Sequence, residues 1–349
     1  MPVRNGRGED NLPLLGITMG DAAGVGAEII AKALSDEKVR RSCRCLIYGD
    51  EGLFRSVLSD LTRELPFHSV RSAEESGVAG APVSFFHCPQ HPMDRVDYGK
   101  MDDRLAANAV AYLDLAIDDA LSSRIDAVVT APINKAALRR AGFRLDGHTG
   151  YLAQKSGVTD YAMMFVGGGL KVVLVTVHIA LAAVSDRITE SAVLEKIRLT
   201  DRHLRRWFGM DSPRIAVCGL NPHAGEEGMF GEEESQRMLP AIRTAQSEGI
   251  AVSGPYPADT VFNRCKNGEF DVVIAMYHDQ GLLPVKLLAF NEGVNITIGL
   301  AFVRTSPDHG TAYDIAGKGV AHPGSMIAAI LLAAEIASRL RKAPPLGRP

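Results

Sequence analysis

The stretch from Asp271 to Lys286, DVVIAMYHDQGLLPVK, constrains this chain more than any other. Val272 to Met276 is a short apolar run rich in β-branched residues, which predicts a strand buried on both faces of a parallel sheet. Tyr277, His278, Asp279 and Gln280 follow at once, and Gly281 is read as turning the chain. An imidazole and a carboxylate therefore leave a carboxyl edge, where open α/β sheets place their ligands. Lys286 lies just downstream. A polar pair that merely caps a strand is the competing reading of His278 and Asp279, and recurrence of the pattern decides between the two.

The pattern recurs twice. Leu170 to Val177 is an apolar run that ends in His178, and Arg214 to Leu220 ends in NPHAGEEG, which delivers His223. Each histidine is expected one to three residues past the end of a strand. Any one alone reads as a core or surface residue. Three imidazoles aimed from separate strand ends can hold a divalent metal and leave positions open for substrate and water. Asp259 and Asp279 are candidates to orient the rings. Neutral imidazoles suit zinc, cobalt, nickel and iron alike.

With 349 residues the chain is long for one core and suggests two domains. A net charge of -3 with scattered basic residues gives no support to a nucleic-acid partner. The densest basic cluster, Arg202 to Arg206 with His203, is read as the solvated face of a helix. Five cysteines without CxxC spacing indicate neither a disulfide framework nor a cysteine zinc site, and fit a reducing cytoplasm. The polar lead-in MPVRNGRGEDNLP lacks the apolar core of a signal peptide, and no apolar run approaches the roughly 20 residues that span a bilayer.

In chain order, Leu14–Thr18 is a first strand, and MGDAAGVGAEIIAKAL is a glycine turn opening a helix. Gly20, Gly24 and Gly26 do not make GxGxxG, and no P-loop Lys-Ser or Lys-Thr follows, so a structural turn is expected. Asp21 and Glu28 stay open as residues facing a cleft. Further strands are expected at Cys45–Tyr48, Val83–His87 and Ala127–Thr130, and helices at Leu53–Leu58 and Asp102–Leu121. APINKAAL opens another helix with Asn134 as its cap. Lys135 is then either an anion ligand or an exposed helix lysine.

GHTGYLAQKSG, residues 147–157, has the grammar of a helix start with Thr149 as cap, and His148 with Thr149 could bind a phosphate or carboxylate there. Tyr161–Val166 and Leu170–Val177 form an expected hairpin, followed by helices at Glu190–Phe208 and Glu232–Ser247. In the last block Arg304 closes a strand, Asp308 to Gly319 supplies glycine turns, and Met326–Leu340 is an apolar helix.

Seven separated blocks, TMGDAAGVGAE, TAPINK, GHTGYLA, VTVHIAL, GLNPHAGE, YHDQGLLPVK and RTSPDHGTAYDIAGKG, resemble the 4-hydroxythreonine-4-phosphate dehydrogenase family of vitamin B6 biosynthesis. The likeness covers Leu14 to about Leu332. It implies an α/β fold of two α/β/α domains, similar to isocitrate and isopropylmalate dehydrogenases, with the active site in the interdomain cleft. Residues 12–133 plus 300–345 would form the cofactor side, and residues 134–299 would carry metal and substrate ligands and the dimer contact. The implied reaction is NAD-dependent oxidation, with decarboxylation, of 4-phosphooxy-L-threonine to 3-amino-2-oxopropyl phosphate by a homodimer.

By the same resemblance, His178, His223 and His278 bind a divalent metal such as zinc, cobalt, magnesium or manganese in sites shared between subunits. His148, Thr149, Lys286, Asn295 and Arg304 match substrate ligands. The loop from His309 to Gly319 is similar to the adenine-binding loop of isocitrate and isopropylmalate dehydrogenases. His309, Gly310, Thr311, Ala312 and Asp314 are accordingly assigned to NAD, or NADP. Lys286 and Asp279 are the candidate catalytic residues, Lys286 as proton carrier or as an electrostatic partner of phosphate.

Departures from the family pattern point to a sister branch. Ala22 and Ala27 stand where prolines are usual, and Gly150 where an acid is common. GEEGMFGEEE and AYDIAGKGVAHP look more like enzymes of D-threonate or D-erythronate 4-phosphate. Dihydrodiol dehydrogenases are disfavoured because His148 and Thr149 are retained. A metal-dependent hydrolase or aldolase, and a metabolite-binding module without turnover, are the readings from other classes.

Overall fold

The computed structural model describes residues 12–61, 65–76, 82–143 and 147–342. Most of the polar lead-in, and residues 343–345 of the expected first domain, lie outside them. The chain divides into two units, one running to Gly157 and resuming at Ala301, the other spanning Val158–Leu300. Both are α/β. No helix among the described residues is long and apolar enough to cross a membrane.

The first unit opens with β1 (Leu14–Thr18), α1 (Gly26–Leu34), α2 (Glu37–Ser42), β2 (Arg44–Gly49), α3 (Glu51–Asp60), β3 (His68–Val70) and β4 (Val83–His87). It continues through α4 (Asp103–Leu121), β5 (Ala127–Thr130), α5 (Lys135–Arg140) and α6 (His148–Lys155). All pairings within its sheet are parallel, in the order β3-β4-β2-β1-β5 and then the strand that returns after the second unit. The order reverses between β1 and β5, which puts the MGDA and APIN turns side by side at the carboxyl edge, where such sheets take ligands. The backbone N–H of Asp21 donates to the Pro132 carbonyl at 3.0 Å, joining the two turns.

The second unit runs β6 (Ala162–Gly167), β7 (Leu170–Leu174), α7 (Val184–Arg187), α8 (Glu190–Phe208), β8 (Ile215–Cys218), α9 (Leu239–Ser247), β9 (Val252–Tyr256), α10 (Ala258–Lys266), β10 (Val272–Ala275), α11 (His278–Ala289) and β11 (Val294–Ile298). The chain then returns to the first unit with β12 (Val303–Pro307) and α12 (Gly324–Lys342). In the second unit β6 and β7 form the expected antiparallel hairpin, β11 pairs antiparallel with β6, and β7, β10, β8 and β9 are parallel. Its core is built from alternate strand residues, among them Phe165, Val172, Leu174, Ala216 and Val273, together with Val261 of α10 and Leu282 and Val285 of α11.

Three expectations are corrected. Residues 134–157 were expected in the second domain, but α5 packs on α4 and the Tyr151 hydroxyl bonds Asp114, so the boundary falls at 157/158. Gly281 does not turn the chain; it lies inside α11, which also contains Pro284. A Cβ there would stand 2.5 Å from Leu174 and 2.9 Å from Val172, so glycine lets the helix lie directly on β7. Arg304 does not close its strand but is the second residue of β12.

His203 is likewise not part of a solvated face. It is 7% exposed, while Arg202, Arg205 and Arg206 on the same helix are exposed. Its Nδ1–H donates to the Leu199 carbonyl at 2.8 Å and its Nε2 accepts the Gly299 N–H at 3.0 Å, an arrangement only the neutral ring can make. Burial above all pushes its pKa down from 6.5 to about 4. The unfolded chain therefore takes up this proton first as pH falls. Stability should be intact above pH 6.5 and decline between 6.5 and 4, by about 3 kcal/mol at most. Denaturant midpoints across that range are expected to fall less steeply for His203→Gln than for the natural protein.

Candidate active site

Two sets of functional side chains stand at strand exits, one in each unit. In the second unit β10 lies between β7 and β8, so His178, His278 and His223 leave three adjacent parallel strands at one edge. They sit four, three and five residues beyond the strand ends, somewhat farther than expected. Backbone pairing continues past β7 and β10: Val175 N–H donates to Ala275 O and Thr176 N–H to Met276 O. This extension brings the rings of His178 and His278 to a centroid separation of 5.8 Å.

His278 opens α11, and its Nδ1–H donates to Asp279 Oδ1 at 2.7 Å, which leaves Nε2 as the free donor atom for a metal. Asp279, a candidate both for catalysis and for orienting a ring, makes the second kind of contact here. His223 has the same kind of partner, with Nδ1 at 3.1 Å from Glu226 Oε2. His223 nevertheless stands apart from the other two. Among the described residues, no group of three or more His, Cys, Asp or Glu is close enough to hold a metal ion. His178 and His278 are thus neighbours at this edge, 5.8 Å apart between ring centroids. Asp259 is exposed in the first turn of α10.

The reason lies in the backbone that carries His223. In the segment Pro222–Gly228, His223, Ala224, Glu226 and Glu227 all adopt left-handed φ values between 44° and 55°. Such a conformation costs roughly 1–2 kcal/mol per non-glycine residue, so its surroundings must impose it. Glu234, buried at the start of a π-helical turn, accepts the N–H groups of Leu220 and Asn221 at 2.8 and 2.7 Å. The Asn221 amide donates to both Glu233 and Glu234. Gln280 ties the neighbouring exits together, accepting Met276 N–H and donating to Gly219 O. Sequence reasoning missed Asn221, Glu234 and Gln280 as supports, and the acidic run at 232–234 was the only signal.

In the first unit the anion-binding expectation acquires a geometry. α6 begins at His148, capped by Gly147 with no side-chain hydrogen bond, so Thr149 lies within the first turn instead of capping it. Lys135, at the start of α5, lies across this end: its Nζ is 3.5 Å from the point a Cβ on Gly147 would occupy. Arg304 is 2% exposed and sends its side chain along the sheet to donate from Nη2 to Thr130 Oγ1 at 2.6 Å. Burial pushes its pKa down to about 9. The His148 ring is held well below its usual value, first by desolvation and then by the Arg304 and Lys135 charges. A neutral imidazole, two cations close enough to act on it, and the uncapped amides of α6 therefore lie in one neighbourhood. That set matches a phosphate.

The loop after β12 exposes His309, Gly310 and Asp314, with Thr311 and Ala312 half-buried. An exposed carboxylate here suits the hydroxyls of a ribose. Lys286 is exposed on α11, eight residues and about 12 Å along the helix from His278. Asn295 Oδ1, on β11, is buried without a hydrogen-bond partner. It remains available to a bound molecule.

The family model described as Pyridoxal phosphate biosynthetic protein PdxA matches residues 41–333. The 4-hydroxythreonine-4-phosphate dehydrogenase of Desulfosudis oleivorans is 45% identical over 333 residues, 95% of this chain and 98% of that protein. The D-threonate 4-phosphate dehydrogenase of Cupriavidus necator is 41% identical over 331 residues, 95% and 99% of the two chains. A solved structure of a 4-hydroxythreonine-4-phosphate dehydrogenase from Klebsiella pneumoniae superposes with a TM-score of 0.84 at 39% identity, covering 93% of this chain and 99% of that one.

Proposed function

Since the chain belongs to the PdxA family of pyridoxal phosphate biosynthetic proteins, we propose that it catalyses the NAD-dependent, divalent-metal-dependent oxidation of 4-phosphooxy-L-threonine. The secondary alcohol gives its hydride to the nicotinamide and a proton to a base, and the resulting β-keto acid loses carbon dioxide to give 3-amino-2-oxopropyl phosphate. The observation that carries this reading is the meeting of Arg304, Lys135 and His148 at the uncapped start of α6. Its donors suit the phosphate end of the substrate, and holding that end fixes where the hydroxyl-bearing carbon lies.

His178, His223 and His278 would hold the cation, with Asp279 and Glu226 orienting two of the rings. A divalent metal bound there lowers the pKa of a coordinated hydroxyl. Asn295 would accept a hydrogen bond from the substrate, and His309 to Asp314 would seat the adenosine half of NAD. The Asp314 carboxylate favours a ribose diol over a 2′-phosphate, which argues for NAD above NADP.

The working enzyme is proposed to be a homodimer. Leu283, Leu287 and Phe290 form an exposed apolar face on α11, with Leu287 85% exposed. A face of this kind marks a contact surface. Lys286 lies on it and would serve the partner's site, as proton carrier or as a charge facing phosphate. Leu287→Glu is expected to convert the dimer to monomer in analytical ultracentrifugation and to cost at least about tenfold in turnover. A dimer that survives the charge removes this interface. Five free thiols fit the proposed cytoplasmic setting.

D-threonate 4-phosphate is the second substrate reading, favoured by the 41% identity to an enzyme named for it. A panel of phosphorylated four-carbon hydroxy acids, compared by kcat/KM with each cofactor, tests the choice. 4-Phosphooxy-L-threonine is expected to rank first, and an aldonate phosphate that outranks it would move the assignment to the sister branch.

A further inference from the structure

The first glycine turn, MGDAAGVGAE, binds no ligand in the reading above, yet it buries two carboxylates. Asp21 is 2% exposed and Glu28 is 5% exposed; of the two, Glu28 borders a cavity it shares with Tyr98 and Lys318. Burying a charge is costly unless the group is fully used. Both are spent on the loop that follows β12. The Tyr313 hydroxyl donates to Asp21 Oδ2 at 2.5 Å, while Asp21 Oδ1 accepts the Ala23 N–H at 3.0 Å and is itself fixed. Val25 N–H donates to the Thr311 carbonyl at 3.0 Å. A Cβ on Gly24 would stand 2.7 Å from that same carbonyl oxygen, so only glycine lets the two segments lie this close.

The far end of the loop is held by a second fastening. Glu28 Oε1 accepts the Ala321 N–H at 2.7 Å, and Lys32, paired with Glu28, donates to the carbonyls of Gly319 and Ala321. Between these two fastenings Ala312 has a left-handed φ of 43°, and Asp314 is exposed immediately after the inward-facing Tyr313. Burial, then Asp21, raises the Tyr313 pKa, so the hydroxyl keeps the proton it donates.

We infer that Asp21 is a positioning residue for the nucleotide cofactor, acting through Tyr313 to present Ala312 and Asp314. This rests on the reading of residues 309–314 as the NAD loop. The test uses the full-length protein and Tyr313→Phe, which removes one oxygen, with Asp21→Asn as a variant whose oxygen keeps the Ala23 bond while its NH2 can donate to the Tyr313 oxygen, and Asp21→Leu as one that pairs with neither.

NAD affinity measured by calorimetry is expected to weaken about tenfold in Tyr313→Phe and Asp21→Leu. Asp21→Asn should stay within about threefold of the natural protein. KM for NAD should rise with Kd while kcat at saturating NAD and KM for the phosphorylated acid hold. Hydrogen exchange of amides 311–319 is expected to quicken in the two weakened variants, with α12 unchanged. Unchanged NAD affinity and unchanged loop exchange in Tyr313→Phe would overturn the inference, as would equal shifts in both KM values. Failure of the natural protein to bind NAD would instead overturn the cofactor reading, together with the role given to Asp21.

Discussion

Replacing Arg304 with methionine is expected to lower kcat/KM for the phosphorylated substrate by about 100- to 1000-fold. The guanidinium is buried in β12 and supplies fixed positive charge where His148, Lys135 and the start of α6 converge. In that desolvated place a phosphate oxygen gains a charge-assisted bond that water would otherwise weaken. Methionine fills much the same volume, and removing a buried cation also removes its desolvation cost, so the fold should survive with little change in unfolding midpoint. The discriminating arm is the unphosphorylated analogue, whose poorer kcat/KM should fall by less than about fivefold. An equal loss on both substrates would mean that Arg304 supports the sheet and not the phosphate.

The second large effect concerns the imidazoles. His278→Ala is expected to remove bound metal and cut turnover by on the order of 1000-fold or more, because Lewis-acid stabilisation is worth several kcal/mol. Asp279→Ala should act differently. It removes only the acceptor of the His278 Nδ1 proton, so metal affinity should fall about 10- to 100-fold and activity should return at high metal concentration. His223→Ala should resemble His278→Ala even though the two rings are not gathered in one chain. Full metal content and full turnover in His223→Ala would end the three-histidine assignment.

How much of this was legible in the sequence depends on whether the determinant was local. β1, β4 and β5 lie where apolar runs between turn residues predict them, and α8 spans Glu190–Phe208 as expected. α8 carries its own boundaries: Thr189 caps it through Ala192 N–H, and Gly209 ends it in a left-handed conformation. The places that misled are set by distant contacts. Gly281 reads as a turn until β7 is seen to press on it, and Thr149 reads as a cap until the cap is seen to be Gly147, two residues earlier.

The site divides in the same way. That His178, His223 and His278 leave one edge of a parallel sheet follows from the three apolar runs that precede them. That His223 stands off in a left-handed segment held by Glu234 does not, because nothing in NPHAGEEG announces which acid fourteen residues after Leu220 will clamp it. The partnership of Asp21 with Tyr313 spans 292 positions. No spacing rule reaches that far.

The account stands most directly on one assay. The natural protein, loaded with a divalent metal and given NAD and 4-phosphooxy-L-threonine, should form reduced cofactor and carbon dioxide in equal amounts, and neither product should form when the metal is chelated. Cofactor that stays oxidised with this substrate and with the aldonate 4-phosphates, with metal and NAD or NADP both present, would contradict the dehydrogenase assignment.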